Sequence, residues 1–168
     1  MNRRSFLILA GSSALLAGCG FRLRGSGGQA ALPFETVHIT GAGASSALGL
    51  ELRRMIQAGS GTQLVDDPKA AQAVVDILSE GRERGAVTLN TQGRIREYTL
   101  FYRVRFRVRD NAGQELMGPT EIVLKRDLSY NESQAIAKEK EEEMLYRNMQ
   151  SDAVQQILRR IAALRLAR

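Results

Sequence analysis

The chain has 168 residues, 43% hydrophobic and 25% charged, which is enough apolar material for one core and too much for a disordered chain. The formal charge is +6, and of the 24 basic residues only Lys69, Lys125, Lys138 and Lys140 are lysines, so the donor set is mostly planar guanidinium suited to phosphate and carboxylate. The length excludes multidomain enzymes and helical transporters, while one Cys, one His and no Trp exclude a multi-cysteine zinc site, a disulfide framework and most redox chemistry.

Residues 1–18 have the layout of an export signal: Arg3 and Arg4, an apolar run from Phe6 through Leu16, then Ala17 and Gly18. The run is shorter than the roughly 20 residues a permanent membrane helix needs. Leu16-Ala17-Gly18-Cys19 resembles the bacterial lipobox, which makes Cys19 the expected lipidation site and the N-terminus of the mature protein. An Asp after that cysteine favours inner-membrane retention; Gly20 stands there instead, which points to the outer membrane. Asn2-Arg3-Arg4-Ser5-Phe6-Leu7 also looks like a twin-arginine motif, and the export route stays open between the two pathways. Several acyl chains at one terminus anchor stably, since each buried methylene contributes about 0.8 kcal/mol.

Residues 19–33 form the lipidated start and a Gly/Ser-rich tether ending at Pro33, and residues 34–168 are expected to be a single folded domain. The β-branched stretch 36–40 predicts a strand closed by Gly41-Ala42-Gly43. A helix follows, capped by Ser45 or Ser46, with Leu48, Leu52, Met55 and Ile56 at helical spacing and Gly59 placed for a left-handed C-terminus. Residues 63–65 have strand composition before the Asp66-Asp67-Pro68 turn. Residues 73–84 predict a long strand, with Val75, Ile77 and Ser79 on one phase and Val74, Asp76, Leu78 and Glu80 on the other, punctuated by Gly85 and residues 90–93.

In the next strand, 96–109, Leu100, Tyr102, Val104, Phe106 and Val108 alternate with Arg103, Arg105, Arg107 and Arg109, the pattern of a strand with one wet face. A turn at residues 110–113 returns the chain through 115–128 as a hairpin, in which Pro119 demands a break or an edge position. Residues 133–166 predict one long helix with an Asn131/Gln134 capping box. Its core stripe runs through Leu145, Met149, Ala153, Ile157, Ile161 and Leu164, widened by Val154 and Leu158. The fold class expected is an α/β (α+β) sandwich, two helices packed on one face of a mostly antiparallel four-stranded sheet.

No catalytic constellation is visible. His38 stands alone in a strand, Gly25-Ser26-Gly27-Gly28 lacks the strand and Lys-Ser/Thr of a phosphate loop, and Asp66-Asp67 and Glu141 to Glu143 suit a turn and a helix dipole. The arginine row is the candidate functional surface, because side chains two residues apart on a strand share a side at about 7 Å spacing. It reads equally as a solvated face balanced by neighbours such as Glu121 and Asp127, or as a face that meets phosphates or acidic side chains. Arg94 and Arg96 at the tip entering the strand, with Lys138 early in the long helix, add cations outside the row. Export makes lipopolysaccharide (LPS) a better polyanion than nucleic acid.

Cys19-Gly20-Phe21-Arg22-Leu23-Arg24-Gly25, Gly93 followed by Arg96-Glu97-Tyr98, and Ala135-Ile136-Ala137-Lys138-Glu139 resemble segments of the LptE family of LPS-assembly lipoproteins, in the same order. The resemblance implies a non-enzymatic outer-membrane lipoprotein facing the periplasm. It further implies a protein that plugs the LptD β-barrel one to one, supports that barrel's assembly and helps deliver LPS to the outer leaflet. It implies no cofactor or metal beyond the diacylglycerol and N-acyl group on Cys19. The family's LPS-binding lysine maps onto Lys138, and as an exposed charge its loss is expected to weaken LPS binding with little cost in stability. A second basic position of the family maps onto Thr91, with Arg94 or Arg96 as the nearest substitutes. A lipoprotein accessory to another envelope lipid-transport complex is the alternative, and partner identity separates the two.

Overall fold

The computed structural model describes residues 32–59, 61–89 and 91–164. The export signal, Cys19, nearly all of the tether and Arg165 to Arg168 lie outside the described residues. Strand β1 (Thr36–Gly41) leads into helix α1 (Ala47–Ala58), then the two-residue strand β2 (Gln63–Leu64) and a 3₁₀ turn (Pro68–Ala70). Strands β3 (Ala73–Leu89), β4 (Ile95–Arg109) and β5 (Glu115–Ser129) follow, and helix α2 (Ala135–Ala162) closes the fold.

The sheet has five strands in the order β2-β1-β3-β4-β5, not four. Nor is it mostly antiparallel: β1 pairs in parallel with both β2 and β3, and only β3-β4 and β4-β5 are antiparallel. The reason is the crossover, since a helix between two strands carries the chain back to the same end and sets them parallel. Val37 and Ile39 of β1 and Val75 and Ile77 of β3 thus face the same core as Leu48, Leu52 and Ile56 of α1. β1 stops at Gly41 (φ +96°), where a Cβ would collide with the Ile77 backbone, so the turn into α1 presses directly on β3.

Ser46 caps α1 by accepting from Gly49 N–H at 3.3 Å. Gly59 is not left-handed: it is extended (φ −74°, ψ 150°) and its N–H closes the helix on the Ile56 and Met55 carbonyls. β3 runs straight through Gly85, and its two-phase reading fails at Leu78. The register breaks between Ile77 and Ser79, after which Glu80, Arg82 and Arg84 take the helix-facing positions opposite Val104, Tyr102 and Leu100. β5 is an edge strand, and the register slips between the Phe106 and Val108 pairings as Pro119 passes.

Asn131 accepts from Ser133 N–H at 3.1 Å, capping a 3₁₀ turn (Glu132–Gln134) and not α2 itself, whose N-cap Gln134 makes no side-chain bond. The α2 stripe buries Met149, Ala153, Val154, Ile157, Leu158 and Ile161 against the sheet, together with Tyr146 and Gln150, while Leu145 and Leu164 are only partly covered. Full burial of such aliphatic side chains contributes about 1.5–3 kcal/mol each. Both helices thus occupy one face, leaving the arginine row on the other.

Candidate functional site

On the open face, the four arginines of β4 do not behave alike. Arg107 donates through Nε and Nη2 to Asp76 Oδ2 at 3.0 and 2.9 Å, across its pairing with β3. Arg103 reaches Glu83 Oε2 at 3.4 Å and lies 5.4 Å from the Phe101 ring centre. Arg105, exposed and opposite Glu121, and Arg109, opposite Glu115, form no ion pair with the described residues. The counter-ions therefore come from β3, and of the acids expected to balance the row Asp127 instead accepts from the Thr99 hydroxyl at 2.8 Å. Two of the four charges stay open to a partner.

Arg94, Arg96 and Lys138 lie toward one end of the sheet, where the turn holding Thr91 and Gly93 enters β4 and β5 leaves for α2. Arg94 pairs with Glu132 at 3.2 Å, and the Arg96 carbonyl accepts from Tyr130 N–H at 2.8 Å. The Arg96 side chain is exposed, with no bond to the described residues. Lys138 is not the exposed charge its position suggests. Its side chain is 14% exposed, and its ammonium donates to Ser129 Oγ at 3.0 Å and Glu141 Oε2 at 2.8 Å.

The acidic run of α2 does more than favour a helix dipole: Glu141 holds Lys138, and Glu142 holds Arg84 at 2.9 Å. The Glu142 hydrogen bond and charge raise the Arg84 pKa above its usual value. A tyrosine-arginine cluster missed by sequence reasoning adjoins this pair. Arg84 lies 4.7 Å from the Tyr98 ring centre, and Arg82 lies 5.3 Å from Tyr146 and 6.0 Å from Tyr102. The Tyr102 hydroxyl donates to Glu80 at 2.5 Å and that of Tyr146 to the Glu83 carbonyl at 2.8 Å. Burial, then Glu80, raises the Tyr102 pKa; burial also raises that of Tyr146. Arg82 and Arg84 line a groove of about 350 Å³ with Tyr146 and Glu142. The one signal in the sequence was their i, i+2 spacing, masked by the shift at Leu78.

His38 Nδ1 lies 2.9 Å from the Val65 carbonyl, tying β1 to the residue after β2. Among the described residues no group of His, Cys, Asp and Glu is placed to hold a metal ion, and no helix is long and apolar enough to cross a membrane. A closed apolar core between two helices and a sheet whose other face carries a row of guanidiniums defines a small α+β domain with one basic open face.

Residues 34–161 match the family described as LptE, lipopolysaccharide-assembly, and the chain belongs to it. It is similar to the LPS-assembly lipoprotein LptE of Pectobacterium atrosepticum, 26% identical over 96% of this chain and 86% of that one. The LPS-assembly lipoprotein LptE of Yersinia enterocolitica is 27% identical over 99% and 80%. Among solved structures, the uncharacterized lipoprotein B of Nitrosomonas europaea superposes with a TM-score of 0.74 at 42% identity, covering 86% of this chain and 91% of that one. The rare lipoprotein B of Shewanella oneidensis gives 0.67 at 26% identity, covering 76% and 94%. The protein is thus one of a family of non-enzymatic lipoproteins of LPS assembly.

Proposed function

We propose that the chain is exported, loses residues 1–18, is acylated on Cys19 and is held by that anchor at the periplasmic side of the outer membrane. There the domain sits one to one inside the LptD β-barrel as a plug, supports its assembly and assists LPS delivery, with Lys138, Arg94 and Arg96 as contacts for LPS phosphates. The observation that carries the reading is the open sheet face, where Arg105 and Arg109 form no ion pair with the described residues while Arg103 and Arg107 are paired with acids of β3. Guanidiniums left open on a rigid strand offer bidentate contacts to carboxylates of a barrel wall.

The test is to purify the acylated protein from outer membranes in mild detergent. A large, heat-modifiable β-barrel is expected to remain bound in equal amount. Recovery of the protein alone, or with an inner-membrane complex, would reject the plug and favour a role with another lipid-transport machine.

A further inference from the structure

Lys138 carries the shielded ammonium described above, with two of its three N–H groups engaged by Ser129 and Glu141. The two acceptors differ in how readily they can leave. Ser129 lies at the end of β5 and faces Glu97 in the register. Glu141 lies one helical turn from Lys138 on a side chain that is 41% exposed, and it can rotate into solvent with no change in backbone.

We propose that Glu141 is an internal competitor for anions at Lys138, so that a phosphate-bearing ligand reaches the ammonium by displacing that carboxylate. This rests on the reading of Lys138 as an anion contact. A phosphomonoester brings about −1.5 to −2 charge and three acceptor oxygens at neutral pH, against one charge on Glu141. The exchange therefore favours phosphate, whereas a neutral headgroup gains nothing by it. The ligand's affinity is reduced by the worth of the internal pair, and the return of Glu141 closes the site when the ligand leaves. A protein that hands its cargo on gains from such reversibility.

The full acylated protein in mild detergent is titrated with phosphorylated lipid A, with dephosphorylated lipid A and with inorganic phosphate. Wild type is compared with Glu141→Gln, Glu141→Ala and Lys138→Ala; the alanine variant is included because a glutamine carbonyl can still accept from Lys138. Removing the carboxylate is expected to tighten binding of phosphorylated lipid A about two- to fivefold, the worth of a partly exposed ion pair. No gain is expected for the dephosphorylated lipid, and none in a Lys138→Ala background. A gain confined to the lipid makes its headgroup the ligand, and an equal gain with inorganic phosphate makes the phosphate group sufficient; both support the competition. Unchanged or weaker binding by both Glu141 variants at unaltered melting temperature overturns the proposal, and leaves the anion contact standing if Lys138→Ala binds less well. If Lys138→Ala binds as wild type does, the contact itself is refuted.

Discussion

Arg105 and Arg107 stand two residues apart on one side of β4, yet alanine removes different things at each. Arg107 shields Asp76, whose side chain is 13% exposed, so Arg107→Ala strands a largely buried carboxylate and is expected to cost about 1 kcal/mol after allowance for the partly exposed Arg107. Arg105→Ala removes no ion pair or hydrogen bond to the described residues and is expected to stay within about 0.5 kcal/mol of wild type; urea midpoints measure both. Tyr102 makes a second contrast, because its buried hydroxyl is held protonated by burial and by Glu80. Its folded pKa lies above the unfolded value, so its contribution is complete below about pH 10 and is lost as pH rises beyond, where the unfolded chain ionises first. Tyr102→Phe is expected to cost about 1 kcal/mol at neutral pH and to flatten the alkaline fall in stability. Some slope persists through Tyr146, whose pKa is also raised. A urea series from pH 8 to about 11 reads that slope, and an unchanged one would mean that Tyr102 ionises as readily folded as unfolded.

The two helices are joined by one carboxylate. Glu51 of α1 accepts from Gln150 Nε2 at 2.7 Å and from Ser151 Oγ at 2.6 Å, while Gln150 Oε1 is buried with no partner. Glu51→Ala leaves both polar groups of α2 without an acceptor and is expected to lose about 2 kcal/mol. Gln150→Leu removes the unsatisfied oxygen and adds apolar contact, so it is expected to fall within about 1 kcal/mol of wild type; equal losses in the two variants would argue against this division. The α2 stripe was legible because Met149, Ala153, Ile157 and Ile161 repeat at helical spacing, but Gln150 belongs to the same buried face and carries no hydropathic signal. β4 was legible for a similar reason, its strict alternation matching the strand period. The parallel pairing of β1 with β3 was implicit in the strand-helix-strand order and went unread. The bulge at Leu78 had no local marker, since neither Gly nor Pro stands there, and it alone decides that Arg82 and Arg84 face the helices.

Across the whole molecule, charges were readable from the sequence as positions but not as pairs, because the acids that neutralise them lie far along the chain. Asp76 precedes Arg107 by 31 residues and Glu142 follows Arg84 by 58. Among the described residues those pairs reduce the open face from a row of four cations to two, Arg105 and Arg109, alternating with neutralised neighbours. If this face meets the barrel, the attraction is then modest and electrostatic, and it is screened as the Debye length falls from about 10 Å at 0.1 M salt to about 3 Å at 1 M. Wild type is expected to retain the proposed barrel partner at low salt and to release part of it at high salt. The Arg105→Ala/Arg109→Ala double variant is expected to show reduced retention already at low salt, little further response to salt and an unchanged melting temperature, since neither side chain has an ion-pair partner among the described residues to lose. Substituting Arg107 as well would confuse the outcome, because stranding Asp76 lowers stability on its own. Co-purification at the two salt concentrations, with melting curves of the free domains, measures every arm. Retention that ignores both the substitutions and the salt would move the barrel contact off this face and onto the helices or the hairpin ends.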